Sequence, residues 1–128
     1  MAEFLPFWPK AAVVGDSTPG DVLIFTRALP TNGFTEVVAH LTCDGRIMGT
    51  GNSSIVVTPE ISNDGANWET RTGDVFNSIT TGSTYPTSEL KKLTNVAAFM
   101  RFRIMLRDLI SPGPIGGTIA ISAAGRSS

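Results

Sequence analysis

The chain has 128 residues, room for one domain with a real core and too few for two ordinary ones. It carries 9 Val, 10 Ile and 15 Thr against 8 Leu, 5 Glu and 3 Lys, a β-branched bias that suits pleated strands and disfavours helical bundles, coiled coils and doubly wound nucleotide-binding folds. Ten basic and eleven acidic residues leave a net charge of -1, without the basic excess that displaces counterions from phosphate, so no nucleic-acid partner is expected.

Residues 1–20 differ from the rest. Phe4, Leu5, Phe7 and Trp8 are packed around Pro6 and Pro9 with neither alternation nor helical spacing. Proline removes backbone donors and keeps such a segment extended. Glu3 stands where a secretory leader has Lys or Arg, and the prolines interrupt any leader helix. The expectation is an extended N-terminal arm over 1–20, followed by a single sandwich domain over 21–128. The four large apolar groups of the arm are expected to dock on a partner, with the Gly15–Gly20 stretch letting the arm swing away.

From Asp21 a regular rhythm begins. Strand-like stretches are Val22–Leu29, Phe34–Cys43, Ser54–Ser62, Asp74–Thr80, Ala97–Arg107 and Gly117–Ala124. Turn clusters separate them: Pro30 to Gly33, Asp44-Gly45, Gly49 to Asn52, Asn63-Asp64-Gly65, Thr81 to Ser83, and Ser111 to Gly116. Short strands at this spacing predict an all-β fold, an antiparallel β-sandwich. Thr87–Leu93 is compatible with one helical turn capped by Thr87 or Ser88. The clearest strand is Ala97–Arg107, where Met100, Phe102, Ile104 and Leu106 alternate with Arg101, Arg103, Met105 and Arg107. Period-two alternation puts the first set in a core and the second on the opposite face. Arg101, Arg103 and Arg107 in one row need acceptors, either local, such as Glu60 on a neighbouring strand, or acidic groups of another subunit.

No catalytic constellation emerges. Gly15-Asp16-Ser17 resembles the nucleophile motif of GDSL-type esterases, but those carry a late Asp-x-x-His pair and this chain has no histidine after His40. Gly49 to Ser54 lacks the Lys of a phosphate loop. His40 and Cys43 are three apart in a strand-like run, which places them on opposite faces. They are the sole His and Cys, too few for a zinc centre, and a lone cysteine forms no internal disulfide. Asn63, Asp64 and Asn67 lack calcium-loop spacing and read as a hairpin turn, with Gly65 supplying positive φ. No apolar run approaches the about 20 residues of a membrane-spanning helix. The expectations are accordingly no enzyme activity, no cofactor, no metal and no membrane.

Ile55 to Trp68, ending in Ser62-Asn63-Asp64-Gly65-Ala66-Asn67-Trp68, followed later by Phe99-Met100-Arg101-Phe102-Arg103-Ile104, resembles a pairing found in discoidin-like sandwiches and in small tailed-phage virion proteins. The Gly116–Ala123 strand is similar to the closing strand of such phage domains. The resemblance covers residues 54–124 and implies a jelly-roll or discoidin-like sandwich, with Trp68 dropped over one end as a core plug. It further implies a structural protein of a bacteriophage, a capsid decoration or cement protein made in the host cytoplasm and located on the virion. Its partners would be the major capsid protein or other virion subunits. A homo-oligomer, foremost a trimer, is expected from the arginine row and from sheet edges that need covering. The alternative is a carbohydrate-binding module on a phage tail or fibre, with Trp68, Trp8 and Tyr85 as stacking platforms.

Overall fold

Alternation along the strands sorts the side chains onto two sheet faces, one turned to a shared interior and one turned out. The computed structural model describes residues 2–17, 20–48, 53–80, 86–108 and 113–127. Within them the strands are β1 (Ala2–Ser17), β2 (Gly20–Phe25), β3 (Leu29–Pro30), β4 (Glu36–Met48), β5 (Ser53–Ser62), β6 (Glu69–Thr70), β7 (Ile79–Thr80), β8 (Thr87–Thr94), β9 (Phe99–Asp108) and β10 (Gly113–Arg126). A 3-10 turn over Thr72–Asp74 separates β6 from β7.

The pairing of these strands is antiparallel throughout and forms two sheets. The first has the order β1-β10-β4-β8; the second has the order β2-β9-β5-β6, with β3 also on β9 and β7 also on β5. The long strands alternate between the sheets, β1, β4, β8 and β10 in the first and β2, β5 and β9 in the second. This winding is that of a jelly roll, so the expected antiparallel β-sandwich is the fold.

The core lies between the sheets. Met100, Phe102, Ile104 and Leu106 of β9 are fully buried, as their spacing predicts, and they share one core cluster with Val37, Ala39, Leu41 and Cys43 of β4 and Ile119 and Ile121 of β10. Phe76, which follows the 3-10 turn, joins them with its ring 6.2 Å from that of Phe102.

The N-terminal segment is where expectation and structure part. It is extended, but it is a strand of the sheet and not a free arm. β1 pairs along β10 from Ala2↔Arg126 to Ser17↔Gly113, with register shifts at Pro6/Trp8 and Trp8/Ala11. An edge strand tolerates proline because its missing N–H can face outward, and bulges absorb the mismatch. Leu5, Phe7 and Val13 lie in the core, so β1 is integral to the sandwich. The boundary expected at residue 20 therefore separates no arm from the domain.

Other local expectations are corrected as well. Thr87–Leu93 is not a helical turn but most of edge strand β8. Leu90 and Leu93, three apart, face opposite ways: Leu90 is 67% exposed and Leu93 buried. Of Asp74–Thr80, Ile79–Thr80 alone is strand, with Asp74 in the 3-10 turn. Asp44-Gly45 does not end β4; the register with β10 passes from Cys43↔Ile119 to Gly45↔Thr118, which makes it a bulge. The expected strand Val22–Leu29 is interrupted at Thr26, whose buried hydroxyl accepts a 2.9 Å bond from the Phe102 amide.

Candidate functional site

The outer face of the second sheet carries the arginine row. Cross-strand register sets Glu60 beside Arg101, Thr58–Arg103–Phe25 in the next row, Val56–Met105–Leu23 after it, and Ser54–Arg107–Asp21 last. The sequence places all three arginines on one face, and the structure keeps them there, but it gives them different surroundings.

Arg101 is a structural clamp. Its Nε donates to Glu60 Oε1 at 2.8 Å, and Glu60 Oε2 accepts from the Thr70 hydroxyl at 2.8 Å. Its guanidinium lies over the Phe25 ring at 4.1 Å and over the Trp68 ring at 4.3 Å. The Glu60 side chain is only 6% exposed, so removing Arg101 would strand a desolvated carboxylate. The local acceptor expected for this row is thus found at Arg101. Arg107 also has a partner. Arg103 differs: its Nε is buried and makes no hydrogen bond. Around it Leu23 is 47% and Phe25 41% exposed, while Val56 and Met105 are half-buried. A guanidinium that forms no ion pair with the described residues, set within an apolar band, suits a partner that brings a carboxylate to its terminal nitrogens within a ring of apolar side chains.

Trp68 is not the core plug expected of it. It stands half-buried outside the core, held by the turn between β5 and β6 and stacked on Arg101. That turn is the hairpin the sequence predicts: Gly65 has φ +77, and Asp64 Oδ1 accepts from the amides of Ala66 and Asn67, each at 2.8 Å. The Asn67 amide foremost, then that of Ala66, then the side chains of Asn67 and Ser62, hold the Asp64 carboxyl well below the usual carboxylate range.

The four candidate arm residues are separated by the pleat. Leu5 is 5% and Phe7 1% exposed, so neither is available to a partner, whereas Phe4 is 68% exposed on the outer face of the first sheet. Trp8 packs partly buried against the core, and its indole N–H is buried without an acceptor. Tyr85 lies outside the described residues, as do Gly49 to Asn52 and Thr81 to Ser83. Phe4 shares a shallow hollow with Val38, His40, Leu90, Ser122 and Ala124. Sequence reasoning misses this apolar patch because Thr87–Leu93 reads as a helical turn, which leaves Leu90 without a sheet face.

His40 lies in this hollow and Cys43 on the buried face of the same strand, so no thiol–imidazole dyad forms. Burial pushes the Cys43 thiol up, away from the reactive thiolate. Among the described residues no three His, Cys, Asp or Glu side chains converge in a way that could hold a metal. No helix among them is long and apolar enough to cross a membrane.

No family model matches the sequence, and no curated protein matches it. Solved structures do share the fold. A chain of infectious bursal disease virus, Gx strain, superposes with a TM-score of 0.68 at 12% identity, covering 98% of this chain and 32% of that one. A chain of the Gt strain gives 0.63 at 9% identity, again over 98% and 32%. The chain thus spans about a third of the length of these viral neighbours, and the likeness is one of fold.

Proposed function

We propose that the chain is a structural virion protein of a bacteriophage, a capsid decoration or cement protein that holds neighbouring subunits by non-covalent contacts. The observation that carries this reading is the outer face of the second sheet. There Arg103 keeps a desolvated, unbonded Nε beside the exposed Leu23 and Phe25. That Nε is sealed from solvent, so a partner's carboxylate would bind the guanidinium through its terminal nitrogens, as a charge-assisted contact set among apolar neighbours. The jelly-roll winding, shared with chains from a virus, supports a place in a particle. On this reading the protein is made in the host cytoplasm, acts on the virion without catalysis, and meets the major capsid protein or another virion subunit. Trimers at three-fold sites would present three Arg103 faces to the shell.

The test is re-binding of purified protein to particles stripped of it. Arg103→Met should fold as the wild type does and lose particle binding about tenfold or more, the scale of a charge-assisted contact. Undiminished binding of Arg103→Met would remove this face as the contact. Retention on immobilised glycans without particle binding would replace the reading with the carbohydrate-binding one, centred on Trp68.

A further inference from the structure

The edge strand β8 is self-complementary, and we infer that two copies of this chain pair through it, antiparallel and in one register, about a two-fold axis at Leu90. This inference is independent of the particle assignment, because it concerns the chain alone in solution.

β8 closes one side of the first sheet, with β4 on its inner flank. Its residues alternate strictly: Ser88, Leu90, Lys92 and Thr94 are exposed on the outer face, while Thr87, Glu89, Lys91 and Leu93 turn inward. Thr94 O accepts from Arg71 Nη1 at 3.2 Å, which ties down the end of the strand. Between Ser88 and Lys92 no bond from the described residues engages the backbone beyond the ladder to β4, so the outward-pointing groups remain open to a further strand. An open edge of this length is a template for sheet extension unless something blocks it.

Two inward charges, Glu89 and Lys91, are the usual kind of block. Their spacing makes them selective instead. In an antiparallel pair, directly opposite residues share a face, so a two-fold at Leu90 sets Glu89 against Lys91 twice, Ser88 against Lys92 twice, Thr87 against Leu93 twice, and Leu90 against itself. Moving the axis to 89 opposes two Glu89 carboxylates; moving it to 91 or 92 opposes two lysines. The register at Leu90 alone among these is free of like-charge pairs, and it overlaps nearly the whole strand. The Glu89 and Lys91 side chains are 24% and 29% exposed. Within one chain Glu89 Oε1 accepts from the Asn77 amide at 2.8 Å, while Oε2 and the Lys91 ammonium approach only to 3.6 Å, which leaves those two groups able to take a closer partner. The same register covers Leu90, 67% exposed beside the hollow that it shares with Phe4. The product is a continuous eight-stranded sheet, β1-β10-β4-β8 joined to its symmetry mate.

Sedimentation equilibrium of the wild type, Glu89→Lys, Lys91→Glu and an equimolar mixture of the two variants tests the pairing. The wild type should form reversible dimers, and each variant alone should dimerise about tenfold or more weakly, because two attractive cross-strand pairs become repulsive. The mixture should regain wild-type affinity: one copy then carries lysine at both positions and the other glutamate at both, so each contact across the axis is attractive again. Glu89→Lys also loses the bond from the Asn77 amide, but mixing would not repair a folding defect. Backbone amides over 88–92 should gain hydrogen-exchange protection on dimerisation. A wild type that stays monomeric to about 1 mM, or a mixture no tighter than either variant, would overturn the inference and leave the two charges as edge guards.

Discussion

The Phe7 ring stands edge-on against Phe102, centroids 4.9 Å apart and planes at 80°, so the first strand of one sheet is fastened to the central strand of the other. Both rings are fully buried. Phe7→Ala is therefore expected to lose about 3–5 kcal/mol in chemical denaturation, the range for emptying a packed aromatic site. Deleting residues 1–10 should lower the melting temperature sharply, because Leu5 and Phe7 leave the core together and β10 loses much of its neighbour. A truncated domain that melted like the full chain would show that the segment is an arm after all.

Arg101 and Arg103 should behave as opposites. Arg101→Ala removes the stack on Phe25 and Trp68 and leaves Glu60 with Thr70 alone, so it is expected to cost about 1–3 kcal/mol. Arg103→Met deletes a buried donor that has no acceptor, and stability should stay level or rise. Urea midpoints of the two variants check the contrast; equal losses would mean that both arginines are structural.

The turn at Asp64 predicts an acid limb of known sign. Its folded carboxyl titrates well below the ordinary value, so its contribution is complete above the unfolded pKa of about 4 and fades as pH falls further towards the folded value. The Asp64 carboxyl carbon followed by NMR should remain that of a carboxylate at about pH 3, where a free Asp is mostly protonated. Asp64→Asn should lower the melting temperature at neutral pH and flatten its fall below about pH 4.

At Gly116 a Cβ would sit 2.1 Å from the Val13 carbonyl oxygen, a backbone atom with no room to give. Gly116→Ala must part β1 from β10 at that point, with an expected loss of about 1–3 kcal/mol. A melting curve unchanged by the substitution would show that the two strands can separate there freely.

The parts of the fold legible in the sequence are those where one rule acts alone. On β9 the alternation is uninterrupted, and the buried set Met100, Phe102, Ile104 and Leu106 follows from it. The Asn63-Asp64-Gly65 turn likewise needs only local chemistry. β1 is hidden because bulges near Pro6 and Pro9 break its register, and each bulge flips the phase by which a strand is recognised. β8 is hidden because Leu90 and Leu93 mimic helical spacing, while the pairing with β4 that overrides it comes from a segment far away in sequence. The arginine row is legible as a face, but which arginine lacks an ion-pair partner is not: Arg101 is taken by Glu60, Phe25 and Trp68, brought together from three separate stretches.

β10 follows every other strand in the sequence and yet lies inside its sheet, between β1 and β4. During synthesis, β1 and β4 must wait with a strand-wide gap between them, and Leu5 and Phe7 cannot be sealed until Gly113–Arg126 has emerged. Most contacts then close together over large sequence separations, the kind of topology that folds slowly. A ribosome-stalled chain lacking β10 should consequently be sensitive to protease along its whole length, and release of that strand should convert it in a single step. Once the sandwich is closed, its C-terminal strand has no free edge from which to peel, so losing it means splitting the first sheet through its middle.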